Sequence, residues 1–364
     1  MKRSLFVVLF SILTAVSFAN HTKGGWMYYE YLGPGVASNS SIYRITLKLY
    51  SECNLSPGQI DATVPFTIFS AANNAQLYNI SVGVISDINT NNCTSPACHP
   101  CINNIPYICY KIRTYQTSIE LPNTTAGYIV SYQRCCRISG IRNIQAPSNN
   151  YGETWTVKIP GTAIPLAQTN SSAWFSQNDT AIICEGGSFT FDFSATDINN
   201  DSLVYAFTPA FGGGGQSNAN PPTCSTCPSP NPSTPPPFSS IPYAAGFSGT
   251  LPLGSGVTIN SSTGMVTGFG PPSGIYVITV TVSEYKRGTN IKIAEVRKSL
   301  HIEVTNCTLT EAKLDPQYLS CDGFTLDFFN LGSNNIQTYY WDFGDGDTST
   351  LPAPTHTYAD TGIY

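Results

Sequence analysis

The pattern that most restricts the fold is a strict alternation of apolar and polar residues in short stretches. In residues 43–50 the large apolar side chains occupy every second position, and Trp155, Val157 and Ile159 repeat the pattern. Successive side chains of a β-strand point to opposite faces, whereas a helix needs apolar residues three or four positions apart. No convincing helical pattern occurs between residues 21 and 165. The sequence therefore predicts an all-β chain of half-buried strands packed as sandwiches.

Residues 1–19 have the pattern of a secretory signal peptide. Lys2 and Arg3 precede an apolar run over residues 5–16, and residues 17–19 read Ser-Phe-Ala, a small-x-small cleavage site. No later stretch approaches the roughly 20 apolar residues of a membrane helix. We therefore expect a secreted or cell-surface protein with no membrane span in this segment, and any anchor would lie beyond Tyr364.

The surface is expected to be polar with few charges. Charged residues make up 11% of the chain and the net charge is −5, against an average charged content of about 25%. There is no basic stripe, which argues against nucleic acid as a partner and against electrostatic docking on anionic lipid. The 12% aromatic content could include tyrosines that stack on sugars, although sandwich cores are the more common use of such residues.

The cysteine count predicts disulfides. An even number of cysteines in an exported chain favours bridges, and the twelve candidates are Cys53, Cys93, Cys98, Cys101, Cys109, Cys135, Cys136, Cys184, Cys224, Cys227, Cys307 and Cys321. The Cys98-His99-Pro100-Cys101 spacing would also suit a redox pair or, with Cys93 and Cys109, zinc. An Asn/Pro-rich loop offers no helix to lower a thiol pKa, and an oxidising compartment disfavours thiolate zinc, so we expect disulfides there as well.

Two cysteines are adjacent in sequence. Neighbouring residues of a strand face opposite sides with Cα atoms about 3.8 Å apart, below the usual disulfide range of about 4.4 to 6.8 Å. We therefore expect Cys135 and Cys136 to take separate partners. Residues 20–165 contain seven cysteines, so one is expected to be free or to pair outside this segment, for instance with Cys184.

A second sandwich is expected over residues 170–306. Phe189, Phe191 and Phe193 alternate with polar residues, and residues 275–283 and 299–304 are β-branched runs. The stretches FSATD at 193–197, DSLVY at 201–205, GVTIN at 256–260 and TGMVTG at 263–268 resemble cadherin-like and immunoglobulin-like modules of bacterial surface proteins. Residues 209–240 interrupt them with a Pro/Gly-rich composition, which predicts a long mobile loop without a core, pinned by Cys224 and Cys227.

One acidic turn has the spacing of a calcium site. Asp197, Asn199 and Asp201 place oxygen side chains at alternate positions, as calcium loops do. The pattern departs from an EF-hand, because Ser202 replaces the glycine and Thr208 stands where the bidentate glutamate would be. An Asx-rich hairpin turn would explain the same residues without a metal. Calcium at these three residues is the single cofactor that the sequence suggests.

A hairpin near the end of the chain carries the most specific resemblance. Residues 339–348 read YYWDFGDGDT, followed by HTY at 356–358 and GIY at 362–364. This pattern resembles the PKD domain, a small extracellular β-sandwich of surface proteins that also occurs beside secreted hydrolases. The resemblance covers residues 310–364 and implies a module incomplete at its C-terminus. It implies a structural Asp-rich turn, so calcium at Asp342, Asp345 and Asp347 is less favoured, and His356 is expected to hydrogen bond to that turn.

The N-terminal segment, residues 20–165, carries a second resemblance. The stretches KGGWMYYEY at 23–31, LKLYSEC at 47–53 and YQRCCR at 132–137 resemble the first module of PKD-containing surface proteins exported by gliding, type IX secreting bacteria. The usual opening of that family, HIVGG, is HTKGG here, a departure at two positions to which the family attaches no catalysis.

These observations predict a secreted, non-enzymatic protein of tandem immunoglobulin-like β-sandwiches that acts as a stalk or adhesin on an extracellular polysaccharide or protein surface. The four histidines are scattered and none sits in a recognisable nucleophile motif. Two alternatives stay open: the non-catalytic accessory region of a secreted hydrolase whose catalytic domain lies downstream, and a component of a surface layer or gliding apparatus.

Overall fold

The computed structural model describes residues 22–53, 61–95, 102–103, 105–165, 167–176, 179–180, 182–213, 230–309, 314, 323–331 and 338–364. The described chain is all-β, as predicted, with two 3₁₀ turns at Ser148–Asn150 and Ala167–Thr169. No helix in this part of the chain is long and apolar enough to span a membrane. The predicted signal peptide lies outside the described residues.

The strands follow one another in chain order from β1 to β22. They are β1 Gly24–Pro34, β2 Ser40–Glu52, β3 Thr63–Ser70, β4 Gln76–Asn91, β5 Ile102–Asn103, β6 Cys109–Pro122, β7 Gly127–Arg134, β8 Glu153–Pro160, β9 Trp174–Phe175, β10 Ile183–Cys184, β11 Ser188–Asp192, β12 Ala195–Thr196, β13 Ser202–Phe207, β14 Val257–Ile259, β15 Met265–Phe269, β16 Gly274–Tyr285, β17 Lys292–Thr305, β18 Thr308–Leu309, β19 Thr325–Asp327, β20 Trp341–Asp342, β21 Thr348–Ser349 and β22 Thr355–Thr357.

The largest sheet closes on itself. Its strands pair in the order β1-β2-β6-β4-β3-β7-β8-β17, and β17 pairs with β1 as well, so these eight strands form a ring. Strands β16 and β13 extend the sheet from β17. Every pairing around the ring is antiparallel. Ring closure removes the free strand edges that would otherwise expose unpaired N–H and C=O groups.

The two segments expected as separate sandwiches share this sheet. Strand β17 belongs to the segment 170–306, yet Ser299 pairs with Gly25 of β1 and Val296 pairs with Val157 of β8. One hydrophobic cluster likewise contains Trp26 and Trp155 of the first segment together with residues of the second. The strands expected in each segment are present, but their core is common to both.

Smaller sheets cover the second segment. Strands β11, β15 and β14 form a three-stranded sheet, and β12 pairs with β9. The predicted alternation at 189–193 is confirmed, because Phe189, Phe191 and Phe193 are all buried. Strand β10 runs parallel to the end of β17. The edge-to-face contact of Phe175 in β9 with Trp26 brings the chain after residue 170 against β1.

Three disulfides connect described cysteines. Cys53 is bonded to Cys109 at the adjoining ends of β2 and β6, and Cys184 is bonded to Cys307 across β10 and the end of β17. The suggested pairing of Cys184 with a cysteine of residues 20–165 was therefore wrong. Cys93 is also disulfide-bonded. Cys98, Cys101, Cys224, Cys227 and Cys321 lie outside the described residues.

The expectation of separate partners for the adjacent cysteines was wrong. Cys135 and Cys136 are bonded to each other. The prediction placed both residues in a strand with their side chains on opposite faces, whereas they follow the end of β7 at Arg134 and the peptide between them is cis. Both side chains are buried.

The described ends of the segment 209–240 pack against the first segment, which its composition did not predict. Ser233 is buried, and its backbone N–H donates to Thr67 Oγ1 at 2.8 Å. The backbone N–H of Thr234 donates to Gln133 Oε1 at 2.9 Å. Ser233 and Thr234 therefore lie against β3 and β7, and residues 214–229, with Cys224 and Cys227, lie outside the described residues.

The predicted hairpin near the end of the chain is present. Strand β20 pairs antiparallel with β21, and β19 pairs with β22. Gly344 and Gly346 have φ of +84° and +101° in the turn, and the Asp342 side chain accepts a hydrogen bond from Gly344 N at 3.0 Å. Glycine tolerates this backbone region at little cost, which explains the Gly-Asp-Gly sequence.

Candidate functional site

A groove lies where β1 and β2 meet β9. It has a volume of about 340 Å³ and is lined by Tyr28, Glu30, Lys48, Trp174, Phe175 and Ser176. We call it the aromatic groove. Such volumes lie at the lower end of the range for small-ligand sites, about 300 to 1,000 Å³.

Strands β1 and β2 form the floor of the groove, and their register decides which side chains face it. Trp26 lies opposite Lys48, and Tyr28 lies opposite Thr46. Side chains two residues apart share a strand face, so Trp26, Tyr28 and Glu30 point the same way. Trp26 is fully buried and stacks on Tyr28, with ring centroids 4.7 Å apart and planes 24° apart. This buried indole fixes the Tyr28 ring that faces the groove.

Strand β9 forms the opposite wall. β17 pairs with β1 at Gly24–Trp26, and further along β1 the segment before β9 forms the hydrogen bonds. Ser172 N donates to Tyr29 O at 2.9 Å, and Tyr29 N donates to Ser172 Oγ at 3.0 Å. Phe175 is buried and meets the Trp26 ring edge to face at 5.7 Å. Trp174 is partly buried and packs against the same core. The wall is therefore anchored by both main-chain bonds and aromatic packing.

The charges of the groove do not balance. Glu30 forms an ion pair with Arg44 at 3.5 Å. Lys48 has no ion pair among the described residues, and its ammonium lies 5.4 Å from the centroid of the Trp26 ring. Burial lowers the pKa of Lys48, and the charge of Lys298 adds to the lowering. The Glu30–Arg44 and Lys298–Asp179 pairs are each neutral, so Lys48 is the cation at the groove that has no ion pair within the described part of the chain.

A buried ion pair supports the groove from below. Lys298 donates to Asp179 and, at 3.2 Å, to Ser176 O. Its ammonium also lies within 6 Å of the ring centroids of Tyr50, Phe175 and Phe193. Lys298 and Asp179 are both almost inaccessible to solvent. Sequence reasoning missed this pair, although Lys298 interrupts the inward-facing alternation of Val296, Leu300 and Ile302, a signal of a paired buried charge.

A second buried charge cluster joins three distant parts of the chain. Glu153 accepts from Arg137 and, at 2.7 Å, from Thr22 Oγ1, and His301 Nε2 lies 3.3 Å from the same carboxylate. Burial lowers the pKa of His301. All three ionisable side chains are at most 1% exposed, so a substrate has no access to them. We therefore assign this cluster a structural role.

The three residues of the predicted calcium site lie together in the turn before β13. Asp197 Oδ1 accepts a hydrogen bond from Asp201 N at 2.8 Å, and Asn199 Oδ1 accepts one from Ser171 N at 2.9 Å. Asn200 has a left-handed φ of +59°. The Asp197 bond closes the turn on its own backbone, and the Asn199 bond ties the turn to the segment before β9, so both side chains have structural partners without a metal. Asp197 Oδ2 is buried without a hydrogen-bond partner, and burial raises the pKa of Asp197. Calcium at this turn stays a prediction.

The hairpin near the chain end holds a different group of metal-ligand types. Ligand atoms of Asp345, Asp347 and His356 lie within 4.8 Å of one another. His356 Nε2 bonds to Asp345 Oδ2 at 2.6 Å, which confirms the expected bond to the Asp-rich turn. The imidazole is stacked on Phe343 at 4.1 Å. This group could hold a metal, and an imidazole with two carboxylates suits a transition ion better than calcium.

Comparison with known proteins identifies one part of the chain. Residues 311–364 match the family model described as PKD domain, which agrees with the resemblance over 310–364. No curated protein matches the chain, and no solved structure does. The chain is therefore an all-β protein in which the last 54 residues, 311–364, are similar to PKD domains.

Proposed function

We propose that this is an extracellular structural or adhesion protein, held outside the cell or on its surface, whose β modules act as a stalk or as binding modules. The observation that carries the proposal is the match of residues 311–364 to the PKD domain, which is common in extracellular adhesion or structural regions. The disulfides support it, because such bonds persist in oxidising compartments and are rare in the cytosol.

The proposal includes the finer features of the sequence. We propose export through the signal peptide 1–19, by the type IX route of gliding bacteria, and a role without catalysis. The PKD resemblance and the stretches at 23–31, 47–53 and 132–137 support this reading. A role in a surface layer or gliding apparatus belongs to the same proposal.

The location is tested on intact cells that produce the full-length protein. Protease added to intact cells should remove the protein detected by immunoblotting, while a cytosolic marker persists; detection in the culture medium would have the same meaning. A strain without type IX secretion should retain the protein inside. Protection from protease until the cells are lysed, with none in the medium, would overturn the extracellular proposal.

The adhesive role needs a separate measurement. A strain that lacks the gene should attach less to surfaces coated with the polysaccharide on which the organism naturally grows. Reintroducing the wild-type gene should restore attachment. Unchanged attachment and unchanged gliding in the deletion strain would contradict a role in adhesion or movement.

The second candidate function is the accessory region of a secreted hydrolase. The aromatic groove favours it, because a ring-lined cavity in a chain that also carries a PKD-like segment could hold a polymeric substrate for a downstream catalytic domain. In that case the full-length protein should release reducing ends from a polysaccharide. A groove variant should then raise KM while leaving kcat unchanged, because it removes binding and not chemistry.

A further inference from the structure

We propose that the aromatic groove binds an acidic saccharide, through the carboxylate of a uronic acid unit in an extracellular polysaccharide. This inference rests on the proposed function and names the class of ligand for it. It is carried by the rings that line the groove, its charge balance and its size.

The rings suit the faces of a sugar. Tyr28 is stacked by Trp26 on one face and lines the groove, and Trp174 lines it from β9. The face of an aromatic ring carries partial negative charge, so groups with partial positive charge pack favourably on it. The axial C–H groups of a pyranose form such a partner. Both rings are held by buried neighbours, so little ordering is required when a sugar binds.

The charges of the groove favour an anion over a neutral sugar. The carboxylate of Glu30 is already paired with Arg44, 3.5 Å away. Lys48 lines the groove and has no ion pair among the described residues. A half-buried ammonium binds a carboxylate more strongly than it binds a neutral hydroxyl, because the bond is assisted by charge. The ligand should therefore supply one negative charge, which a uronic acid does.

The size and the edges of the groove favour a saccharide over a peptide. A volume of about 340 Å³ accommodates one or two sugar units. Among the lining residues, Glu30 adds carboxylate acceptors and Ser176 adds a hydroxyl. Both kinds of group suit the many hydroxyl groups of a sugar. An acidic peptide would use Lys48 but would present no flat, rigid ring to Tyr28 and Trp174.

The test is calorimetric titration of the purified full chain with tetrasaccharides of galacturonate, mannuronate and hyaluronate. Cellotetraose serves as the neutral comparison and tetraglutamate as the peptide comparison. At least one acidic tetrasaccharide should bind saturably and about tenfold more tightly than cellotetraose, the discrimination expected from one charge-assisted bond. Added salt should weaken that preference.

Variants locate the site. Trp174→Ala should weaken binding of the acidic tetrasaccharide about tenfold, the upper part of the range for one aromatic contact. Lys48→Met should bring its affinity down to that of cellotetraose, while Lys48→Arg should keep most of the preference. Tyr107→Ala is the matched control, since this tyrosine is 62% exposed and lies outside the groove. Near-UV circular dichroism checks that each variant is folded.

Three results would overturn the inference. They are the absence of binding to all three acidic tetrasaccharides, equal or tighter binding of tetraglutamate, and binding that folded Lys48→Met and Trp174→Ala proteins retain in full. Each would leave the protease test on intact cells unaffected, so failure of the saccharide inference is distinguishable from failure of the extracellular proposal.

Discussion

At the scale of single residues, Gly24 is required where β1 changes neighbours. Gly24 has φ of +130°, and a Cβ there would overlap the carbonyl oxygen of Ser299 and lie 2.7 Å from the Cα of Leu300. The main chains of β1 and β17 approach closely at this point because Gly24 pairs with both Tyr50 and Leu300. Ring closure between β1 and β17 thus explains the glycine at position 24.

We predict that Gly24→Ala destabilises the protein more than Gly33→Ala. Gly33 has a similar φ of +141° but no atom within 4 Å of its Cβ position, so it reports the backbone cost alone, about 1 to 3 kcal/mol. The overlap at Gly24 should add about 1 to 3 kcal/mol. Urea unfolding followed by fluorescence measures both. Equal losses would show that the contact with β17 relaxes freely.

A second residue-scale prediction concerns the buried Glu284. Its carboxylate accepts from Ala173 N at 2.7 Å and Asn170 Nδ2 at 2.9 Å, and Asp197 and Asp201 are the charged groups that act on it. Burial raises its pKa from 4.5 to about 7. A raised folded-state pKa means that the stability from Glu284 is complete below about pH 4.5 and is lost as pH rises to about 7.

The loss corresponds to about 3 kcal/mol, at about 1.4 kcal/mol per pH unit. Glu284→Gln should therefore flatten the fall in unfolding free energy between pH 4.5 and 7, measured by urea titration at several pH values. Glu295→Gln is the control, because that side chain is 41% exposed. If Glu284→Gln and the wild-type protein show parallel curves, the carboxyl of Glu284 does not carry a raised pKa.

At the scale of elements, disulfides fix the ends of strands. The Cys53–Cys109 bridge continues the ladder beyond Glu52 and Tyr110, the last pair of β2 and β6. It closes a long loop, with a sequence separation of 56 residues. A bridge limits the freedom of the unfolded chain, and chain-entropy arguments give about 4 kcal/mol for such a loop.

The double variant Cys53→Ser/Cys109→Ser should lose about 2 to 4 kcal/mol of unfolding free energy, measured without reductant. Adding reductant to the wild-type protein should also lower its melting temperature. A double variant with the melting temperature of the wild-type protein would mean that the N-terminal segment does not depend on this bridge.

At the scale of the whole molecule, β17 binds the two segments into one folding unit. Without it, β1 and β8 would lose their shared neighbour and expose unpaired main-chain groups. The Lys298–Asp179 pair and the Glu153–His301 contact would be lost as well. The first segment would also expose apolar side chains such as Trp26 that the second segment covers.

We therefore predict that residues 22–165 alone do not form a stable fold, whereas residues 22–309 do. Near-UV circular dichroism and dispersion of amide proton shifts measure this. The longer fragment should also unfold in one cooperative transition, because one core spans both segments. A well-dispersed spectrum from residues 22–165 would show that the first segment is an independent sandwich.

Local sequence patterns were enough to predict strands and turns. The alternation at 43–50 and 155–159 lies within β2 and β8, and the Gly-Asp-Gly turn at 344–346 forms with the expected His356–Asp345 bond. These features depend on the two-residue period of a strand and on the backbone freedom of glycine, which are properties of neighbouring residues.

The pairing of strands and the contacts between distant side chains could not be predicted from local patterns. Every strand edge offers the same N–H and C=O groups, so the main chain does not specify which strand pairs with which. The position of β17 between β1 and β8, which closes the ring, could therefore not be predicted. The partner of Cys184 depends on which distant segment lies next to it in the fold. The bond between Cys135 and Cys136 depends on the main-chain conformation between these two residues. The aromatic groove follows from the same pairing, because Lys48 and Trp174 come together only when β9 is laid against β1 and β2.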